Sequence, residues 1–387
     1  MVAKKEKASR PSVHAVILAG GAGERFWPAS RRKYPKPLMR VVGGTSLLAA
    51  TMNRAKKFAG EDQVWIVCGK EHANAIREES GLPARRVLVE PSRKNTAMAV
   101  AWAAQRIEAV DSGSVLAILS ADHHIPDGRA FAASMRRCAR AASSAGVLVT
   151  LGVVPTRPDT GYGYIQQGKS AGDSFPGLYR VRRFVEKPDA KRAQRYLASG
   201  HYLWNAGIFV FSAATMLGEI EACAPDLHRA LSPLRSKPQG RNSSAVAAAY
   251  RRAPSVPIDI AVMERSRKVW TLPVDFAWSD VGTWASLGEE LGVGSRTETD
   301  RLVRGVRTLG HRAAGSDGNR ILGGEVLVED STSNLVWGGD RLVALLGVEG
   351  LVVVDTEDAI LIADIGRSHE VRKLVAALAK GRRKDLT

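Results

Sequence analysis

Cysteine is nearly absent from this chain: three residues in 387, Cys68, Cys138 and Cys223, far apart and in no CxxC spacing. That excludes a disulfide framework and a cysteine zinc site, and points to a reducing compartment, the cytoplasm. Long apolar runs are missing too. None approaches the roughly 20 residues of a membrane helix, so no membrane partner is expected. The basic start, MVAKKEKASRPS, leads into no cleavable apolar segment; Val13 to Leu18 is short and stops at a glycine turn, which reads as a strand rather than a signal peptide. Acidic residues are few against the cations, 39 to 56, leaving a net charge of +17. Such an excess fits a polyanion binder, yet no nucleic-acid module and no basic strand interleaved with aromatics is present. Specific nucleic-acid binding is therefore not expected. The cations are read as a solvated, Arg-rich surface, denser at both tails (Lys4 to Arg10, Lys380 to Lys384), and anionic small substrates suit them equally well.

What is present is alternation. Val13–Leu18, Val64–Cys68, Arg86–Val89, Val115–Leu119 and Val147–Val153 read as short apolar strands, and Ser46–Phe58, Glu71–Glu79, Thr96–Ala109 and Arg129–Ala145 as alanine-rich helices between them. Strand–helix repetition predicts a mostly parallel, three-layer α/β sheet, with ligands outside the carboxyl ends of the strands. Past residue 155 the pattern loosens into strand-like Tyr179–Phe184, Ile208–Phe211 and Val269–Phe276, alternating with helical 189–199, 212–222 and 242–252. GVGSRTETD, 292–300, is a candidate linker. Residues 320–364 are strand-rich and nearly helix-free, a candidate small β-solenoid, and a helix from His369 to Lys380 follows.

The chemistry concentrates at strand ends. After the first strand comes Leu18-Ala19-Gly20-Gly21-Ala22-Gly23, a loop whose amides can turn inward because glycine has no Cβ. A nest of such donors binds phosphate oxygens. The loop lacks the third glycine of the dinucleotide fingerprint, and no Gly-Lys-Ser/Thr follows as in a Walker loop. Arg25 and the Pro35-Lys36-Pro37 segment add fixed positive charge. Asp122, in Ser120-Ala121-Asp122-His123-His124, ends another strand and is well placed to hold Mg²⁺. His123 and His124 diverge and lack further ligands at helical spacing, so both are read as structural. Asp280, in Trp278-Ser279-Asp280-Val281-Gly282, is a second acidic candidate that on its own would pass for a turn residue. Glu186-Lys187 would alone be an exposed pair, and Asn95 and Thr96 would alone be helix caps.

Together these segments resemble the sugar-nucleotide pyrophosphorylases, with GxGxRxxP followed by PKP near the amino terminus. Phe26-Trp27-Pro28-Ala29-Ser30-Arg31 brings the resemblance nearest to the members that place GMP on mannose 1-phosphate. The resemblance is dense over 13–290 and looser over 320–378. It implies a Rossmann-like three-layer nucleotidyltransferase domain at 13–291, a small C-terminal β-rich, left-handed β-helix-like domain at 300–380, and basic tails at 1–12 and 381–387. It implies that Leu18, Ala19, Gly20, Gly21, Gly23, Arg25, Asn95, Thr96 and Asp122 bind the nucleotide, with Asn95 reading guanine. Tyr162, Gly163, Glu186, Lys187 and Asn205 would bind the sugar phosphate, through segments that match GYGYI, F-x-E-K-P and W-N-[SA]-G-[IM]-F. Asp122 and Asp280 would hold Mg²⁺ or another divalent cation, and Arg25, Lys36 and Lys187 would serve catalysis.

The reaction implied is in-line attack of mannose 1-phosphate on the α-phosphorus of GTP, giving GDP-mannose and diphosphate. The nucleophile is already an anion at pH 7 and needs no general base. Another nucleotide or sugar 1-phosphate, and a non-catalytic subunit that senses nucleotide sugars, stand as alternatives; the intact set of Arg25, Lys36, Asp122, Lys187 and Asp280 speaks against the second. A homodimer stays open as the assembly. Some members carry a fused phosphomannose isomerase domain; no His/Glu metal cluster for one is present, so a single activity is expected.

Overall fold

The computed structural model describes residues 12–21, 23–42, 44–235, 243–294, 307–309 and 317–387. The basic segment 1–11, most of the candidate linker (295–300) and the start of the β-rich region (300–306) lie outside the described residues.

Among the described residues nine strands form one sheet: β1 (Val13–Leu18), β2 (Val64–Gly69), β3 (Val87–Glu90), β4 (Val115–Ser120), β5 (Leu148–Val153), β6 (Tyr164–Ser170), β7 (Tyr179–Val185), β8 (Tyr202–Ser212) and β9 (Val269–Val274). Their spatial order is β3-β2-β1-β4-β8-β5-β9-β7-β6. The first four pair in parallel, as strand–helix repetition predicts. The second half departs from that expectation. β8 runs antiparallel between β4 and β5, and β6 and β7 form an antiparallel edge pair. The strand expected over Ile208–Phe211 is the second half of β8. Its first half crosses a register shift between Asn205 and Phe209, with Gly207 at φ 64°, and pairs with β6 and β5 instead. The irregularity falls just after Asn205, which is still in register opposite Gly152.

Both faces of the sheet are covered, so its central strands are apolar throughout. Along β1, Ala15 and Ile17 face one core and Val16 the other. The first core holds side chains of α1 (Leu47–Ala59) and α4 (Gly128–Ala145), among them Leu48, Met52, Phe131 and Met135. The second holds α3 (Asn95–Glu108) and α6 (Ala213–Cys223), through Val100, Ile107, Met216 and Ile220. Side-chain caps set the helix starts: Ser46 accepts from the Ala49 amide, Asp127 from Arg129 and Ala130, and Ser212 from Thr215. All three thiols are free, and burial pushes those of Cys68 and Cys138 up to about 12. Among the described residues no helix is long and apolar enough to cross a membrane.

The carboxyl-terminal part alternates between two sheets. One contains β10 (Arg307–Leu309), β12 (Glu325–Glu329) and β14 (Leu342–Leu346), all parallel. The other contains β11 (Arg320–Leu322), β13 (Leu335–Trp337) and β15 (Leu351–Asp355), also parallel, with antiparallel β16 (Ile360–Asp364) at its edge. This is a short β-helix. An asparagine ladder holds its turns: Asn334 Nδ2 donates to Asn319 Oδ1 at 2.9 Å, and the Leu351 amide donates to Asn334 Oδ1 at 2.8 Å. The module docks on the segment after the glycine loop. Phe26 packs against Trp284 of α7 (Trp284–Leu291) with ring centroids 4.8 Å apart and the rings tilted by 60°, and both share an apolar cluster with Leu335, Val352, Val371 and Val375. Burying each such aromatic contributes on the order of 2–3 kcal/mol. Trp27 Nε1 donates to the Leu386 carbonyl at 2.7 Å, and Arg31 forks onto Asp358 with both bonds at 2.5 Å.

Candidate functional site

β1 delivers the glycine loop to the carboxyl edge of the sheet. The Ala19 amide still belongs to the sheet, donating to Val67 O at 2.8 Å. The amides of Gly20, Gly21 and Gly23 have no acceptor among the described residues. Gly23 sits at φ 65°, where a Cβ would press on the Ser30 hydroxyl and stand 2.7 Å from Lys36 Cβ. Only glycine lets Lys36 lie this close behind the loop. Lys36 is buried, with its ammonium 2.6 Å from Asp122 Oδ2 and 3.0 Å from the Asp280 carbonyl oxygen. Pro35 and Pro37 flank it at the start of a short helical turn, which fixes its backbone.

Two segments far apart in sequence bring the aspartates together. His124 and Ser279 exchange backbone hydrogen bonds of 2.9 and 3.0 Å, so the segment after β4 and the segment after β9 run side by side. Arg54 of α1, itself buried, clamps the first of them by donating to the His123 carbonyl at 2.7 Å. Ser120 Oγ donates to Asp122 Oδ1 at 2.5 Å. Burial alone would raise the Asp122 carboxyl; the Lys36 charge, His123 and the bonds from Lys36 and Ser120 outweigh it and hold the group down to about 2. Asp280 Oδ1 accepts from the Tyr162 hydroxyl at 2.9 Å and from the Gly282 amide at 3.1 Å, while Oδ2 accepts from no described residue. The two histidines sit in structural contacts. His123 Nδ1 faces Trp278 Nε1 at 3.3 Å and burial lowers its pKa; His124 Nε2 lies 3.1 Å from Glu290.

A cavity of about 570 Å³ opens over these groups, lined by Gly20, Gly21, Lys36, Asn95, Thr96 and Asp122 among others. Leu18 and Gly23 also line it; Ala19 does not. Asn95 has φ 61°, and its Oδ1 accepts from the Thr96 amide at 2.9 Å. The Thr96 hydroxyl accepts from the Ile258 amide at 2.9 Å, so it joins α3 to the turn beyond residue 257. Two carboxylates here escaped the sequence reading. Glu90 ends β3, is 8% exposed, and accepts from the Tyr250 hydroxyl at 3.0 Å. Burial pushes its pKa up to about 7. Asp259 sits in a π-helical turn, Asp259–Met263, and burial, aided by the Glu186 charge, pushes it up to about 6. Glu90 could have been found as the acidic residue closing a strand two places from the glycine strand; for Asp259 no local signal exists.

The expected sugar-side residues form one contiguous cluster. The Asn205 amide donates to Gly163 O at 2.8 Å, its Nδ2 donates to Asp259 Oδ1 at 2.8 Å, and its Oδ1 accepts from Thr150 and Gly207 at 3.1 Å. A Cβ on Gly163 would meet Asn205 Cβ at 3.2 Å and Glu186 Oε2 at 2.5 Å. Glu186 Oε1 holds Lys187 at 2.8 Å, and its Oε2 is buried with no partner among the described residues. The cluster meets the cavity through Asp259, which lines it; Lys187 points outward and lines neither this cavity nor the next. That next cleft, about 490 Å³, is lined by Gly23, Arg25, Lys36, Asp122, Asp280 and Arg372. Arg25 is exposed and has no partner among the described residues. The arrangement as a whole offers amide donors and cations to phosphates, carboxylates to a base and to hydroxyls, and two aspartates at the junction.

Both parts of the chain are similar to known proteins. Residues 14–291 match the family model for nucleotidyl transferases, and 324–378 match that for the MannoseP isomerase/GMP-like beta-helix domain. The alginate biosynthesis protein AlgA of Pseudomonas aeruginosa is 37% identical over 374 residues, covering 95% of this chain and 72% of that protein. The mannose-1-phosphate guanylyltransferase of Escherichia coli K12 is 35% identical over 384 residues, covering 97% and 75%. A solved structure from Thermus thermophilus, described as a mannose-1-phosphate geranyltransferase, superposes with a TM-score of 0.80 at 32% identity, over 95% of this chain and 99% of that one.

Proposed function

The chain belongs to the nucleotidyl transferase family, and from that membership we propose that it makes GDP-mannose and diphosphate from GTP and mannose 1-phosphate. The observation that carries the nucleotide half is the buried Glu90 carboxylate, beside Gly20 in the cavity that the loop of unpaired Gly20, Gly21 and Gly23 amides also lines. Guanine presents two adjacent donors, N1–H and the N2 amino group, to such an acceptor. Adenine presents one donor beside an acceptor, which the carboxylate would repel. A base seated on Glu90, with Asn95 beside it, leaves the triphosphate over the glycine loop and Lys36. The choice of mannose follows the names of the relatives.

In this reading Asn205, Glu186 and Asp259 receive the sugar hydroxyls, and Tyr162 and Gly163 wall the sugar's position. Lys187 leaves Glu186 to meet the sugar phosphate. A phosphate oxygen of mannose 1-phosphate bonds to the α-phosphorus of GTP, and the bond from that phosphorus to the β-bridging oxygen breaks, its electron pair leaving with diphosphate. No proton has to move, so the protein contributes position and positive charge. Asp122 and Asp280 suit a hard divalent cation such as Mg²⁺: both offer oxygen, and Asp280 Oδ2 is uncommitted. Among the described residues no third acidic, His or Cys side chain converges with them, so phosphate and water oxygens would complete the shell. Such an ion supplies charge neutralisation to the triphosphate. On the same reading the catalytic domain is 13–291 and the β-rich domain 300–380.

Diphosphate release from a panel of nucleoside triphosphates against mannose, glucose and galactose 1-phosphates tests the proposal. GTP with mannose 1-phosphate should give the highest kcat/KM; no turnover with that pair would overturn it.

A further inference from the structure

The carboxyl-terminal helix, α8 (Val371–Lys380), places apolar residues at 371, 374, 375 and 378, one stripe of an amphipathic helix. Val371 and Val375 are buried in the cluster that holds Phe26 and Trp284. The helix is thus seated on the turn Glu24–Phe26, immediately after the glycine loop, and its register is set by packing. Arg372, one residue on from Val371, then emerges beside the stripe into the cleft that also contains Arg25, Lys36, Asp122 and Asp280. The neighbouring charges are already engaged: Glu370 bonds Arg367 at 3.1 Å and Lys373 at 2.6 Å. Arg372 has no hydrogen-bond or ion-pair partner among the described residues.

Two kinds of cation therefore face the cleft. Lys36 is neutralised by Asp122, whereas Arg25 and Arg372 hold free guanidinium forks. Planar forks of this kind match phosphate oxygens two at a time. We infer that Arg372, a residue of the β-helix module, grips the β- and γ-phosphates of the bound nucleotide and the departing diphosphate. It carries charge for the leaving group and exchanges no proton. The inference rests on the function proposed above, and it makes the second module part of the active site rather than an appendage to it.

The test uses the full chain with Arg372→Gln, Arg372→Lys and, as a control on the same helix, Lys373→Gln. Binding of inorganic diphosphate with Mg²⁺ is measured by calorimetry, and kcat/KM is measured separately for GTP and for mannose 1-phosphate. Arg372→Gln should weaken diphosphate at least tenfold and lower kcat/KM for GTP at least tenfold, with the KM for mannose 1-phosphate within twofold of wild type. Arg372→Lys should recover part of both, and Lys373→Gln should change neither. Diphosphate binding by Arg372→Gln at the wild-type level, an equal loss in Lys373→Gln, or an equal rise in the sugar phosphate KM would each overturn the inference. A wild-type protein that binds diphosphate but does not turn over GTP would instead refute the proposed function.

Discussion

Replacing Glu90 with glutamine should make the protein more stable and a poorer enzyme, and the gain in stability should depend on pH. The carboxyl is 8% exposed and has a single donor, the Tyr250 hydroxyl, among the described residues. Burial lifts its pKa from 4.5 to about 7. An acid whose folded pKa lies above its unfolded one holds more protons in the folded state, so stability falls as pH rises from about 4.5 through about 7. Two and a half units correspond to about 3 kcal/mol lost by pH 8, of which less than 1 is already lost at pH 5. Glutamine stays neutral and keeps an oxygen for Tyr250, although its amino group then lacks a partner, at about 1–2 kcal/mol. The unfolding free energy of Glu90→Gln from urea titration, relative to wild type, should therefore be larger by about 2 kcal/mol at pH 8 than at pH 5. In the same variant the preference for GTP over ATP should fall at least tenfold, since a hydrogen bond to a charged acceptor contributes about 1.5–3 kcal/mol. An identical stability change at the two pH values would refute the account of a strained, buried charge. An unchanged GTP preference would remove Glu90 from the base site.

Three further perturbations follow from the same geometry. Asp280→Asn keeps an acceptor for Tyr162 but loses a metal-binding charge, so kcat should fall about 100-fold or more while the thermal midpoint stays put; unaltered activity across a Mg²⁺ titration would contradict the metal assignment. Gly23→Ala forces a Cβ to within 2.7 Å of Lys36 Cβ at a left-handed φ, which should lower stability by about 1–3 kcal/mol and disable diphosphate binding, as urea titration and calorimetry would report. Asn334→Leu breaks the ladder, orphaning the Leu351 amide and removing the side-chain bond to Asn319 Oδ1, which keeps only the backbone amide of residue 334; we expect about 1–3 kcal/mol of lost stability, visible as an earlier transition, with the KM for mannose 1-phosphate unaffected.

Much of the α/β half is legible in the sequence because its determinants are local. Val13–Leu18 and Val115–Ser120 are apolar because both their faces are buried, and the functional residues stand where those runs stop. What is not legible depends on contacts between distant segments. Nothing near Trp204 announces that β8 reverses direction, since its partners Tyr164 and Val153 are set by the whole chain's packing. Asp280 reads locally as a turn residue, and only the bridge from Ser279 to His124 brings it beside Asp122. Phe26 and Trp27 look like part of the phosphate loop, yet their side chains are buried against Trp284 and the Leu386 carbonyl, and so carry the β-helix. Glu90 is inconspicuous before Pro91, because its neighbours Tyr250 and Gly20 lie 160 and 70 positions away.

The most direct test is a crystal structure with GDP-mannose and Mg²⁺ bound. The account predicts the guanine N1–H and N2 amino group on Glu90, the diphosphate bridge over the amides of Gly20 and Gly21 with the ion between Asp122 and Asp280, and the mannose hydroxyls on Asn205, Glu186 and Asp259. A base bound away from Glu90, or a sugar bound with Asn205 and Glu186 untouched, would contradict it.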